Sequence, residues 1–523
     1  MHHGKTMTAT ALAAAALVAS GCVAEAEAQP PPPPNLLQVA GTQAAQLVGA
    51  LDTGLAGGTK TVSLVLASRD EAGLDAYISG PHRPLSAQEY EQRFGPPQQV
   101  LDQVRSWAGE SGLTVGHAPG QQLVQLSGPA QQVGRAFDTS VHTYRAGPRT
   151  YSAASAPARL PDGIAGAAAG VVGLSGSPQL HPVTSRDRQP PRVGHGPQDL
   201  QRFYQAPPEP AGEGQPVAVL GSGDLGQVRK DLVQFEDQYR LPHVPINEIK
   251  VDGGSRDTAN TTEWDLDTQY SSGTAPAIPR IDFYSTRGLD DQALVDAAAR
   301  WVDDNRTRTA SESLGECEDD AVKSGFQRSQ DELMKRAAAQ GQTLFASSGD
   351  AGSQCQEGAG RDVNYPASSP NVVAVGGTTL TGPQQQDQSA WKGSGGGAST
   401  TEPASARQRE VGGQFRGDKR AVPDVAFDAD PASGFNVVSG GVPQVIGGTS
   451  GGAPSWNGIW ARALQQRGGA LGSAGPELYE APQSAFQDIT RGSNGDYQAG
   501  PGFDLVTGRG TPNIGALLGH LSG

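Results

Sequence analysis

Gln340-Gly341-Gln342-Thr343-Leu344-Phe345-Ala346-Ser347-Ser348-Gly349-Asp350-Ala351-Gly352 is the stretch that decides the fold. A helical pattern from Gln327 to Gln340 runs into it, Gln340-Gly341 stops that helix, and Thr343 to Ser347 follows as an apolar strand. The strand ends in a glycine turn that carries the carboxylate of Asp350. The same alternation recurs on either side. Pro216 to Leu220, Ile278 to Tyr284, Thr309 to Leu314 and Val372 to Val375 read as strands, and Ala293 to Asp304 reads as a helix. Strand-helix alternation predicts an α/β unit built on a parallel sheet flanked by helices, with functional groups at the carboxyl ends of strands. Asp350 falls at such an end.

With 523 residues the chain is too long for one ordinary core and fits two domains and a leader. After the basic Lys5, residues Ala9 to Ala19 are nearly all alanine, leucine and valine, too short a run to span a bilayer. They predict a signal peptide over 1–28, ending at Ala26-Glu27-Ala28, and a secreted, extracellular protein. Ala19-Ser20-Gly21-Cys22 is an imperfect lipoprotein box, which would instead anchor the chain by lipid on Cys22. A proline spacer covers 29–35. Residues 36–183 hold short alternating strands and amphipathic helices, such as Thr61 to Ala67 and Ser86 to Phe94, without a polar cluster suited to chemistry. The basic, proline-bearing segment 184–194 predicts an exposed, easily nicked linker, and 195–523 carries the strand-helix alternation.

A net charge of -15 argues against nucleic acid as a partner and is compatible with acidic surroundings. Of three cysteines, Cys22 is lost or lipidated under either leader reading, so Cys317 and Cys355 remain as a pair in an exported chain and predict a disulfide.

Val445-Ile446-Gly447-Gly448-Thr449-Ser450-Gly451-Gly452-Ala453-Pro454 precedes a helix that buries Trp456, Ile459, Trp460, Ala463 and Leu464. The glycines tighten the turn, Pro454 suits a first helical turn, and Ser450 lies at a positive helix end, a credible nucleophile. Only His195, His243 and His520 follow the linker, none at a strand end or in a glycine turn. A Ser-His-Asp hydrolase is a poor fit, so the base should be a carboxylate. Thr262-Glu263-Trp264-Asp265-Leu266-Asp267 supplies one, since Glu263 and Asp267 share a helix face and Asp265 points away. Exposed, such a pair is only a solvated acidic face. Buried side by side, the two carboxyls can share a proton and accept one from a serine in acid. A protonated Asp350 could donate to an oxyanion.

Taken in order, Glu-x-x-x-Asp, Gly-Asp-x-Gly and Gly-Thr-Ser-x-x-x-Pro resemble the sedolisin family of serine-carboxyl peptidases. Asp199-Leu200 with Tyr204, Glu316-Cys317-Glu318, Gly395-Gly396-Gly397 and Val422-Pro423-Asp424-Val425-Ala426 add to the resemblance, which covers most of the chain after the leader. It implies a subtilisin-like catalytic domain over 195–523 and, from Tyr90 to Pro96 and Val171-Val172-Gly173-Leu174, a smaller α+β activation propeptide with an antiparallel sheet over 36–183. The propeptide would block the cleft as an intramolecular inhibitor until acid triggers its removal within Pro182 to His195. Ser450 would be nucleophile, Glu263 general base, Asp267 its orienting partner and Asp350 the oxyanion donor.

The resemblance further implies that Ser313, Leu314, Gly315, Gly395 and Gly396 hold the substrate main chain. It also implies that Asp488, Ile489, Gly500, Gly502 and Asp504 bind one calcium ion through two carboxylates and three carbonyls. Kumamolisin-like members carry a glutamate and a tryptophan at the positions of Gly221 and Leu314, and Glu312 stands where many relatives are apolar. The expectation is a monomeric acid-acting endopeptidase on protein and peptide substrates. The alternatives are a tripeptidyl exopeptidase and a catalytically silent secreted scaffold.

Overall fold

The computed structural model describes residues 36–522 apart from 40–49, 81, 117–121, 147–148, 176–179, 183–193, 412–416 and 470. The leader, Cys22, the proline spacer and all but Gly194 of the expected linker lie outside the described residues.

The C-terminal part is laid out as β1 (Val217–Ser222), α1 (Gly226–Tyr239), β2 (Ile246–Lys250), α2 (Thr261–Thr274), β3 (Ile281–Thr286), α3 (Asp291–Asp304), β4 (Thr309–Glu312), β5 (Leu314–Cys317), α4 (Phe326–Ala339), β6 (Thr343–Ser347), β7 (Val373–Leu380), β8 (Val425–Asp428) and α5 (Thr449–Gln466). Strands β2, β3, β1, β4, β6 and β7 lie side by side in that order, with β8 on β7, and every one of these pairs is parallel. One further strand, Gln388–Ala390, pairs antiparallel with β7. A parallel sheet has to be covered on both faces, and β6 shows how the sequence meets that need. Leu344 packs into the layer of α3 and α4, with Leu294, Trp301 and Leu333, while its neighbour Phe345 packs into the opposite layer, with Leu266, Trp456 and Trp460.

Two expected boundaries move for stated reasons. The strand expected from Ile278 begins at Ile281, because Pro279 has no N–H to give a ladder. The strand expected over Thr309 to Leu314 is two strands, since the chain leaves the parallel sheet at Ser313 and β5 pairs instead with His181–Pro182 and Asn364–Tyr365.

The N-terminal part carries a four-stranded antiparallel sheet of Thr114–Val115, Leu123–Pro129, Thr59–Leu66 and Ala168–Val172, and a second antiparallel sheet of Leu51–Leu55, Val141–Ala146 and Arg149–Ala154. The helix expected at Ser86 spans Ala87–Arg93 and is capped reciprocally by Ser86 and Glu89. This part sits on α3 and α4. The Ser63 hydroxyl donates to Asp296 Oδ1 at 2.7 Å, and the Ser68 N–H donates to Glu332 Oε1 at 2.8 Å. Beyond it, Leu180 N–H donates to the Leu289 carbonyl at 2.8 Å, and His181 and Pro182 then pair antiparallel with Gly315 and Leu314.

Candidate active site

Gly448 has φ +117, a conformation that side-chain-bearing residues rarely adopt, and it turns the chain directly into α5. The helix therefore starts earlier than Pro454 suggests. Ser450 is its second residue, and Pro454 lies inside it rather than in its first turn. Having no N–H, Pro454 cannot return the helical hydrogen bond to the Ser450 carbonyl four residues before it. That carbonyl instead lies 3.3 Å from the hydroxyl of Ser313, at the carboxyl end of β4.

Helix α5 is held against both the sheet and α2. Asn457 accepts from the Thr309 hydroxyl at 2.7 Å and donates to the Ala218 carbonyl at 2.9 Å, which ties α5 to β4 and β1. A Cβ at Gly458 would lie 2.8 Å from the Ser271 carbonyl on α2, so glycine is what lets the two helices approach. From Glu263 to Thr274 every residue of α2 is buried, which rules out a solvated acidic face.

Asp267 is fully buried, and its Oδ1 accepts from the Ser313 hydroxyl at 2.6 Å. Ser313 thus touches both the carboxyl of Asp267 and the main chain of the candidate nucleophile. On the other flank, Asp350 Oδ1 accepts from the Thr449 N–H at 2.8 Å and from its hydroxyl at 3.0 Å. Asp350 Oδ2 is buried and takes no hydrogen bond from any described residue. Burial pushes the Asp350 carboxyl up to about 7, against the two hydrogen bonds from Thr449. Burial also raises Asp267, opposed by the Ser313 hydroxyl. Asp265 faces away, toward Asp231 and Ser439, and burial lifts it to about 8.

Thr449 and the Ser313 side chain were not singled out by the sequence for these contacts. The adjacency of Thr449 to Ser450 was the available signal for the first, and nothing local marks the second. The histidines stand elsewhere. His195 is held by its main chain to Gly434 and Asn436, and exposed His243 pairs with Asp237 at 2.9 Å.

Of the segments expected to hold substrate, Leu314 and Gly315 carry the His181–Pro182 strand, and Gly395 and Gly396 donate from their N–H groups to Gly349 and Gly352 at 2.8 and 3.3 Å. A side chain at Gly221 would collide with the Trp264 ring, its Cβ lying 2.7 Å from that ring, so the indole occupies the space behind the carboxyl pair. Glu312 is fully buried on the other face of β4, accepts from Gln330 at 3.2 Å, and is raised to about 8 by burial. Cys317 and Cys355 form a disulfide with Cα atoms 5.0 Å apart, linking β5 to the loop after Asp350.

At the C-terminal loop, Asp488 Oδ2 accepts from Gly502 N–H and Asp504 Oδ2 from Gly500 N–H, both at 2.9 Å. Buried Asp504 also takes the N–H groups of Val506 and Thr507. The carbonyls of Ile489, Gly500 and Gly502 take no hydrogen bond from any described residue. Two carboxylates and three uncommitted carbonyls on one loop are a donor set that fits a hard divalent cation.

Carboxyls that are raised by burial make acid stabilising. Asp265, Glu312 and Asp350 are lifted to about 8, 8 and 7, against roughly 4 in an unfolded chain. Over that window the folded state binds more protons than the unfolded one, so stability is fully present below about pH 4 and falls as pH rises toward 8. Urea midpoints of the Ser450→Ala protein should decrease across this range. Midpoints that rise from pH 4 to 8 would contradict the burial of these acids.

A parallel sheet covered on both faces, a serine at the amino end of a central helix beside buried carboxyls, and an α+β domain seated on the flanking helices define a subtilisin-like serine-type peptidase with an activation domain. Residues 50–176 match the pro-kumamolisin activation domain, and residues 267–477 match the subtilase family. The chain is 30% identical over 516 residues to sedolisin of Pseudomonas sp. (strain 101), covering 89% of this chain and 88% of that protein. It is 29% identical over 528 residues to kumamolisin of Bacillus sp. (strain MN-32), covering 92% and 95%. The solved structure of Pseudomonas sedolisin complexed with two molecules of pseudo-iodotyrostatin matches with a TM-score of 0.59 at 32% identity, over 62% of this chain and 97% of that one. This chain belongs to the sedolisin family of serine-carboxyl peptidases.

Proposed function

We propose that the protein is a secreted, self-processing endopeptidase that works in acid as a monomer, with Ser450 as nucleophile and Glu263, Asp267 and Asp350 as its three carboxyl partners. The observation that carries this reading is the bracketing of Ser450. Ser313 joins its carbonyl to Asp267 on one side, and Asp350 grips the preceding Thr449 on the other. In this mechanism Glu263, one turn before Asp267 on α2, takes the proton from the Ser450 hydroxyl as Ser450 Oγ attacks the peptide carbonyl. Asp267 holds Glu263 in position and shares its proton. Asp350, neutral in acid, donates from Oδ2 to the oxygen that becomes negative. Glu263 returns the proton to the departing amine, and a water molecule repeats the sequence to release the acid.

The strand His181–Pro182 on β5 supports the propeptide as intramolecular inhibitor, because an extended peptide adds to exposed main chain in this way. The Cys317–Cys355 disulfide supports export to an oxidising compartment. Digestion of an unlabelled denatured protein at about pH 4 tests the endopeptidase reading. Peptides of varied length are expected, and a ladder of tripeptides would replace it with the exopeptidase.

Asp488, Asp504 and the carbonyls of Ile489, Gly500 and Gly502 would hold one calcium ion, whose charge would offset the buried Asp504, a carboxyl that burial raises to about 6. Chelation should lower the melting temperature, and titrated calcium should restore it. A melting curve indifferent to both would remove the assignment.

A further inference from the structure

We propose that Ser313 is a positioning residue, whose hydroxyl couples the orienting carboxyl of Asp267 to the main chain of Ser450 and so fixes the nucleophile relative to its base. The inference rests on the catalytic roles proposed above and assigns to this side chain a task separate from substrate binding.

Three observations converge on it. Ser313 is fully buried, so its hydroxyl must find partners inside the protein. Those partners are Asp267 Oδ1 on α2 at 2.6 Å and the Ser450 carbonyl on α5 at 3.3 Å. Pro454 has no N–H to return to the Ser450 carbonyl, and the Ser313 hydroxyl approaches that oxygen from outside the helix. The break in the strand at Ser313 is part of the same device. While β4 ends at Glu312 and β5 begins at Leu314, Ser313 stands between the two ladders with its side chain turned to α2 and α5. Its main chain meanwhile leads into the Leu314–Gly315 segment that carries His181–Pro182. One residue therefore bears on carboxyl, nucleophile and substrate strand together.

The hydroxyl also bears on titration. A hydrogen bond donated to Asp267 favours its charged form. Among the described residues, the ionisable neighbours of this carboxyl are few. On α2 they are Glu263, one turn away, and Asp265, which faces Asp231 of α1. On α5 no charged side chain occurs before Arg462, β1 carries none, and Glu312 of β4 faces Gln330 of α4. With so little else to hold the charge, loss of the Ser313 donor should raise the apparent pKa values of the Glu263–Asp267 pair.

Ser313→Ala tests this, with Ser311→Ala as its control. Ser311 lies two residues earlier, within β4, is equally buried, and its hydroxyl has no hydrogen-bond partner among the described residues. With kcat and KM followed from pH 3 to 7 on acid-processed protein, Ser313→Ala should lose about ten- to a hundredfold in kcat with KM nearly unchanged. The acid limb of its kcat profile should move to higher pH, while Ser311→Ala should match wild type in both respects. A Ser313→Ala enzyme with wild-type kcat and profile would overturn the proposal, and so would equal losses in the two variants, which would mean that only the strand was disturbed. Asp267→Asn keeps the two levels apart. If it retains full activity the catalytic reading itself fails, whereas an inactive Asp267→Asn beside an unaffected Ser313→Ala removes only the role of Ser313.

Discussion

Replacing Ser450 with alanine should lower peptide hydrolysis by roughly 10⁴–10⁶-fold, the range over which loss of a serine nucleophile leaves only binding and oxyanion stabilisation. The substitution removes one buried oxygen and adds no bulk, so the fold should persist with a change of stability near 1 kcal/mol or less. The pair Ser450→Ala and Ser450→Cys separates chemistry from structure. Both should melt with the wild type, and neither should approach its turnover, because a neutral thiol in acid is a poor substitute. A Ser450→Ala protein that still cleaves substrate at more than about a hundredth of the wild-type rate would place the nucleophile elsewhere.

The second large effect concerns Asp350. Its Oδ1 is committed to Thr449, while Oδ2 is buried with no partner among the described residues, so a proton on Oδ2 is uncommitted and could be donated to a substrate oxygen. Asp350→Ala should cost on the order of 10²–10³ in kcat, the usual effect of losing one oxyanion donor. Asp350→Asn should recover much of it, because its amide oxygen can still accept from Thr449 and its NH₂ can donate. The two also differ in pH dependence. Burial lifts Asp350 to about 7, so the wild-type carboxyl donates below that pH and ceases to do so as pH rises through it. An asparagine donates at every pH, and the upper limb of its profile should extend beyond that of the wild type. Equal losses in the two variants would show that neither the hold on Thr449 nor a hydrogen bond donated from the second atom of the group accounts for the role of Asp350.

These expectations show which parts of the site could be read from the chain. Thr343 to Ser347 and the turn bearing Asp350 were legible because a helix stop, an apolar run and a glycine turn follow one another within a dozen residues. The Glu263–Asp267 pair was legible as one helix face, but its meaning depends on burial. A helix that is buried all round, as α2 is, looks like a polar surface helix until Gly458 is seen to let α5 close over it. Ser313 was legible only as part of a segment resembling those that hold substrate, and its side-chain contacts were hidden for a different reason. Thr309 to Leu314 reads as one uninterrupted strand, and only tertiary pairing of β5 with His181–Pro182 and Asn364–Tyr365 reveals the break that turns the serine inward. Pro454 misled in the same way, since proline suits a first helical turn equally well, and it was the positive φ of Gly448 that moved the helix start back to Thr449. The N-terminal part had recognisable elements, yet its seat on α3 and α4 rests on contacts such as Ser63 with Asp296, more than two hundred residues apart, which no local pattern encodes.

Self-cleavage by Ser450 in acid is tested most directly by the intact mass of the purified precursor after acidification to about pH 4. Wild type should shorten to a species beginning between Pro182 and His195, while Ser450→Ala remains full length under the same conditions. A wild-type precursor that stays intact across acidic pH with calcium present, or a Ser450→Ala protein that shortens alone at the same rate, would contradict the account.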